Sequence, residues 1–172
     1  MRTKHRSATV FDTTTRSMLE ARWAIFFREL NLKWKYEPTV LRDGSTTYTP
    51  DFGIDGFGYI EIKPTLELFI TETSQRIKKI AAVYPTLKFY AFCASCVAFQ
   101  DIALYHGSKL FAPTFHQIYK LLSEAREGVD RLTDYQQSAD IRRAMTIANT
   151  TRLNEWSSTK EIVSDVIGSL IP

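Results

Sequence analysis

The chain reads as an α/β protein of the α+β kind, with a mixed central sheet: one helix, three strands, a second helix, another strand, and further helices at the C-terminus. Three observations predict this. Leu19, Trp23, Phe26, Phe27 and Leu30 recur at helical spacing near the N-terminus. Tyr59 to Lys63 alternates as a half-buried strand does, placing Tyr59, Glu61 and Lys63 on one face and Ile60 and Ile62 on the other. Leu87 to Cys93 is a nearly continuous apolar run, as in a strand covered on both faces. Between these strands Ile77, Ile80, Ala81 and Tyr84 recur at helical spacing, so a crossover helix joins two parallel strands in a right-handed βαβ unit.

The elements follow in order. Residues 1–16 are polar and carry Arg2, Lys4, Arg6 and Arg16, and read as a flexible basic arm. Ser17 to about Leu30 is the first helix. Lys33 to Glu37 alternates charged and aromatic residues as a strand, which Pro38 limits. Asp43-Gly44 marks a turn into a strand that approaches Pro50, and Asp55-Gly56 folds the segment around Asp51 back against residues 59–63, so a three-stranded meander is expected. The crossover helix follows Pro64 and stops before Pro85. Residues 102–106 and 109–111 read as a hairpin around His106-Gly107, and helices are predicted over about 114–126, 134–149 and 158–170, the last opened by a Ser158-x-x-Glu161 capping box. The expected organisation is an arm over 1–16, a core over 17–112 and a helical extension over 113–172.

Composition sets the outer limits. A chain of 172 residues with 44% hydrophobic residues can bury a core of its own and is not disordered. No apolar run approaches the roughly 18 residues that span a bilayer, and Met-Arg-Thr-Lys-His-Arg lacks the apolar stretch of a secretory signal, so no membrane partner and a cytoplasmic location are expected. Cys93 and Cys96 form a C-x-x-C pair without a second pair to complete a zinc site, and read as buried reduced thiols. A net charge of +3 is too mild to identify nucleic acid as a partner by itself.

The chemistry concentrates between Thr49 and Pro64. The Asp55-Gly56 turn brings Asp51 close to Glu61, and Glu61 and Lys63 point into the same space. Hard carboxylate oxygens suit Mg2+, with Mn2+ as a substitute, because these ions bind through one or two carboxylates and a phosphate. Such an ion polarises the phosphate and lowers the pKa of an attacking water. Lys63 can position that water or offset negative charge in the transition state. Each residue also has an ordinary reading: Asp51 as a turn aspartate, Glu61 and Lys63 as a same-face ion pair, and Glu20, three residues after Ser17, as part of a helix capping box.

Glu20, Pro50-Asp51 and Glu61-Ile62-Lys63, with the order of elements, resemble the PD-(D/E)XK nuclease superfamily of restriction-endonuclease-like fold, over roughly the first 95 residues. The run Ser17-Met18-Leu19-Glu20, then Trp34-Lys35-Tyr36-Glu37 and Tyr48-Thr49-Pro50-Asp51-Phe52, is similar to phage-type Holliday-junction resolvases, and Lys63-Pro64 to transposon-end nucleases. The resemblance implies an αβββαβ core and a metal-dependent DNA endonuclease of a phage or mobile element, working in recombination, repair or DNA processing in a bacterial cell. It implies one or two ions held by Asp51, Glu61 and Glu20, with Lys63 as base or water-positioning group and Gln75, near the start of the crossover helix, as an accessory residue. Lys78 and Lys79, and Arg142 and Arg143 on a later helix, are candidate contacts to the DNA backbone. Cutting both strands calls for two active sites, so a homodimer is a further expectation, as is an accessory protein. The rival expectation is a nonenzymatic DNA-binding or host-protein-interacting module that retains the fold.

Overall fold

A computed structural model describes residues 7–93, 101–107, 109–126, 134–151 and 153. The N-terminal segment departs first from expectation. Where a flexible arm is expected, β1 (Ala8–Val10) and β2 (Thr13–Thr15) form an antiparallel hairpin. Its turn residues Phe11 and Asp12 have φ of 49° and 61°, the positive pair whose twist suits a two-residue hairpin turn. Asn-Gly or Asp-Gly usually announces such a turn, and Phe-Asp does not. The unfavourable backbone is offset by the Arg28 guanidinium, 3.9 Å from the centre of the Phe11 ring, and by Ala8 and Val10, which enter the main core. Residues 1–6 lie outside the described residues.

Helix α1 (Met18–Glu29) starts at Ser17, whose Oγ accepts the Glu20 N–H at 3.2 Å. Just beyond its Leu30 cap comes Asn31, a residue type that tolerates left-handed backbone, here with φ of 55°. The Asn31 N–H then bonds the Arg28 carbonyl at 2.8 Å and the Leu32 N–H the Phe27 carbonyl at 3.0 Å, closing the last turn. Its apolar face, with Trp23, Phe26 and Phe27, is fully buried.

The strands that follow are β3 (Trp34–Tyr36), β4 (Leu41–Asp43), β5 (Thr46–Tyr48), β6 (Phe52–Ile54) and β7 (Gly58–Lys63). A helical crossover of α2 (Leu66–Leu68), a π-helical turn (Phe69–Thr73) and α3 (Ser74–Val83) leads to β8 (Lys88–Cys93), then β9 (Asp101–His106) and β10 (Lys109–Phe111). Six strands form a mixed sheet in the order β10-β9-β8-β7-β6-β3, parallel at β7 and β8 and antiparallel elsewhere. The expected βαβ unit and the hairpin at His106-Gly107 are both present. The meander is β3-β6-β7, but the strand expected to run toward Pro50 lies outside it. That segment is β5, which folds back on β4 across the Asp43-Gly44 turn as a separate hairpin. The sheet resumes only after Pro50, which has no N–H to give a ladder.

Side-chain alternation divides the core into two layers. Ile60, Ile62, Tyr90 and Phe92 meet α1 on one face; Phe89, Ala91 and Cys93 meet Ile77, Ile80 and Ala81 of α3, with Tyr48 of the β4–β5 hairpin, on the other. Cys93 is buried as expected. The described part of the C-terminal region builds this same body rather than a separate extension. Ile118 and Leu122 of α4 (Phe115–Glu124), and Ile141, Ala144, Ile147 and Ala148 of α5 (Asp134–Thr150), join the cluster around α1. Arg22 of α1 donates to the carbonyls of Ala148 and Asn149, both at 2.8 Å. The helix expected over 158–170, and Cys96, lie outside the described residues. Among those described, no helix is long and apolar enough to cross a membrane.

Two sheet glycines separate steric effects of different kinds. Gly58 has φ of 140°, and a Cβ there would lie 2.7 Å from the Lys88 carbonyl oxygen; at Gly53 the nearest atom would be Pro38 Cγ, at 2.9 Å. Gly58→Ala is expected to cost on the order of 3 kcal/mol, since backbone strain and a backbone clash add. Gly53→Ala also drives a Cβ into a ring fused to the backbone, but without positive-φ strain, and is expected to cost less by that strain alone. Urea unfolding of the two variants checks the order.

Candidate functional site

Strand geometry delivers the charged residues. Asp51 directly precedes β6, and Glu61 and Lys63 lie in β7 on the face opposite Ile60 and Ile62, where the apolar layer under α3 gives out. Arg16, Glu20, Tyr48, Asp51, Glu61, Lys63, Glu72 and Arg76 line a cavity of about 680 Å³. Asp51 and Glu61 are only 3% and 7% exposed, so two like charges sit side by side with little water.

Each carboxylate oxygen is met by a donor. Asp51 Oδ2 accepts the Ile62 N–H at 2.7 Å, and Oδ1 accepts from Arg16 Nη2 at 2.7 Å. Glu61 Oε2 accepts the Tyr48 hydroxyl at 3.0 Å, and Oε1 lies 3.3 Å from Lys63 Nζ. Lys63 is shared with Glu72, 3.6 Å away. Glu20, expected to complete a metal shell, is engaged at the start of α1. Its Oε1 accepts from the Ser17 hydroxyl at 2.8 Å, and its Oε2 accepts from the Tyr36 hydroxyl at 2.6 Å and the Arg16 N–H at 3.0 Å. Among the described residues, no three His, Cys, Asp or Glu side chains converge as a preformed metal cluster.

The donors do not fully offset the clustered charge. Burial, then the neighbouring Glu61 and Glu20, push the Asp51 carboxyl up to about 8 despite the Ile62 N–H and Arg16. Burial also raises Glu61, against the opposing pull of Lys63 and Tyr48. Tyr48 is raised well above the ordinary tyrosine value by burial and by the carboxylates beside it, so its hydroxyl remains a donor to Glu61. Two buried carboxylates still short of positive charge, with hard oxygen donors on an open cavity, form a donor set that suits a divalent cation such as Mg2+.

The structure brings Asp51, Glu61 and Lys63 together, with Glu20 adjacent, and leaves other sequence candidates aside. Gln75 is exposed and does not line the cavity; Arg76, the next residue, does. The preceding π-helical turn sets which residues face inward, and these are Leu68, Glu72, Thr73 and Arg76. Lys78 and Lys79 are exposed further along α3, and Arg142 and Arg143 are exposed on α5, which packs against α1. Sequence reasoning missed Tyr36, Tyr48, Glu72 and Arg76 as site residues, and placed Arg16 only in a basic arm. No family model, curated protein or solved structure matches this chain.

Because Asp51 and Glu61 hold protons more firmly when folded than when unfolded, the metal-free native state binds more protons at these two groups, and their contribution to stability falls as pH rises. That contribution is fully present below about pH 4, the ordinary carboxylate value, and is lost progressively until pH passes about 8, the raised Asp51 value. Thermal melts in EDTA should show Tm declining across this window. Asp51→Asn, neutral throughout, should flatten the decline.

Proposed function

We propose that this chain is a divalent-metal-dependent DNA endonuclease built on a restriction-endonuclease-like αβββαβ core. The observation that carries the reading is the pair of buried carboxylates on adjoining strands with Lys63 on the same face, opening into a cavity edged by Arg16 and Arg76. A buried acidic pair is costly to a protein that only needs to fold, and the cost has a use if a cation is to be bound there.

Asp51 and Glu61 would hold the ion, which supplies charge for the phosphate and acidifies a water when bound. Tyr48 and the Ile62 N–H fix the two carboxylates from behind, so the oxygens turned to Arg16 and Lys63 are those that meet a ligand. The ammonium of Lys63, between Glu61 and Glu72, orients the attacking water and offsets charge as the water oxygen bonds to phosphorus and gives its proton to solvent, while the bond to the leaving oxygen breaks and that oxygen takes up a proton from solvent. Arg76 adds positive charge at the cavity wall for the phosphate backbone. Glu20 acts through structure, fixing the β2–α1 junction that carries Arg16.

Purified protein incubated with supercoiled plasmid, linear duplex, single strand, flap and four-way junction should cut at least one of them with Mg2+ or Mn2+ and none with EDTA. Asp51→Ala and Lys63→Ala should lower the rate at least about a hundredfold while remaining folded. Gln75→Ala, outside the cavity, should leave it essentially unchanged. DNA binding without cutting in any metal, insensitive to Glu61→Gln, would instead identify a nonenzymatic binding module.

A further inference from the structure

Arg16 occupies the approach to Asp51. Its Nη2 reaches Asp51 Oδ1 at 2.7 Å and its Nε lies 3.0 Å from Glu37 Oε1, so one guanidinium bridges two carboxylates. The other Asp51 oxygen is committed to the Ile62 N–H. A cation entering from the cavity therefore meets Arg16 before it meets a vacant oxygen of Asp51.

The Arg16 side chain is 61% exposed, while the Asp51 side chain it covers is 4% exposed. Its backbone is anchored separately, the Arg16 N–H being shared between Glu20 Oε2 and Tyr36 Oη at 3.0 Å each. The backbone anchor is therefore distinct from the side chain's own contacts with Asp51, Glu37 and the Tyr36 hydroxyl. Glu37 sits beside the site because its N–H bonds the Asp51 carbonyl at 2.9 Å and its φ is 43°. Its ion pair with Arg16 is solvent-exposed and correspondingly weak.

We propose that Arg16 is an exchangeable partner of Asp51: its guanidinium occupies Oδ1 while no divalent ion is bound, and once displaced it turns to the phosphodiester in the cavity. This rests on the nuclease reading. A planar fork that fits a carboxylate fits a phosphate equally well, so one side chain can serve both anions in turn. Arg16 thus lowers the cost of the acidic pair in the metal-free protein and becomes available when metal takes its place.

The test compares the parent with Arg16→Ala and Arg16→Met, the second keeping the aliphatic stem. Mn2+ binding is measured by electron paramagnetic resonance of the free ion, and single-turnover cleavage of the preferred labelled DNA is measured at saturating Mn2+. Opposite signs are expected. Both variants should bind Mn2+ about tenfold more tightly, through loss of a competing ion pair, and cleave at least about tenfold more slowly. A purely structural role would weaken both. Equal or weaker Mn2+ binding by both variants, with Asp51-dependent binding by the parent, would overturn the exchange and leave the nuclease reading standing. Unchanged cleavage at saturating Mn2+ would overturn the phosphate contact. No Mn2+ binding by the parent or either variant would overturn both the exchange and the nuclease reading.

Discussion

Asp51 and Glu61 bring like charges into a region from which water is largely excluded, and much of the surrounding structure can be understood as a response to that juxtaposition. The Ile62 N–H comes from the strand that carries Glu61 itself. The Tyr48 hydroxyl is delivered by the β4–β5 hairpin, which stands outside the central sheet and docks on the α3 face through Leu41 and Tyr48. The Arg16 guanidinium is delivered by the hairpin that precedes α1. Three elements distant in sequence thus converge on two side chains, and each contributes a donor where a charge would otherwise lack one.

The sheet makes this convergence possible because its two faces have different tasks. On the α1 face, Trp23, Phe26, Phe27, Phe52 and Phe92 form a continuous aromatic core, with Trp23 and Phe92 centroids 5.0 Å apart, which holds β6 and β7 in register. On the other face the apolar layer beneath α3 stops short of Asp51, Glu61 and Lys63. A π-helical turn ahead of α3 opens the crossover there and presents Glu72 and Arg76 to the cavity. Rigidity on one side therefore supports an open charged surface on the other.

Legibility in the sequence followed how local each feature is. Asp51, Glu61 and Lys63 were readable because strand alternation and the Asp55-Gly56 turn act over about ten residues. The β1–β2 hairpin was not, since its Phe11-Asp12 turn lacks a glycine and is held by a contact with Arg28 further along the chain. Tyr48 and Tyr36 have no local pattern that marks them as site residues; they become so only when β5 docks on α3 and β3 pairs with β6. Gln75 and Arg76 differ by one position on a helix, and a single π-helical turn decides which of them faces the cavity.

By itself the sequence determined the mixed α and β architecture, the parallel β7–β8 crossover and the pairing of Asp51 with Glu61 and Lys63. These depend on periodicity and turn chemistry, which neighbouring residues settle among themselves. Only the tertiary structure decided which donors satisfy the buried carboxylates, that the Tyr36 hydroxyl joins the local Ser17 and Arg16 partners of Glu20, and that Arg16 spans Asp51 and Glu37. Those outcomes depend on charge and burial across long sequence separations, where electrostatic interaction acts through space and no spacing along the chain encodes it.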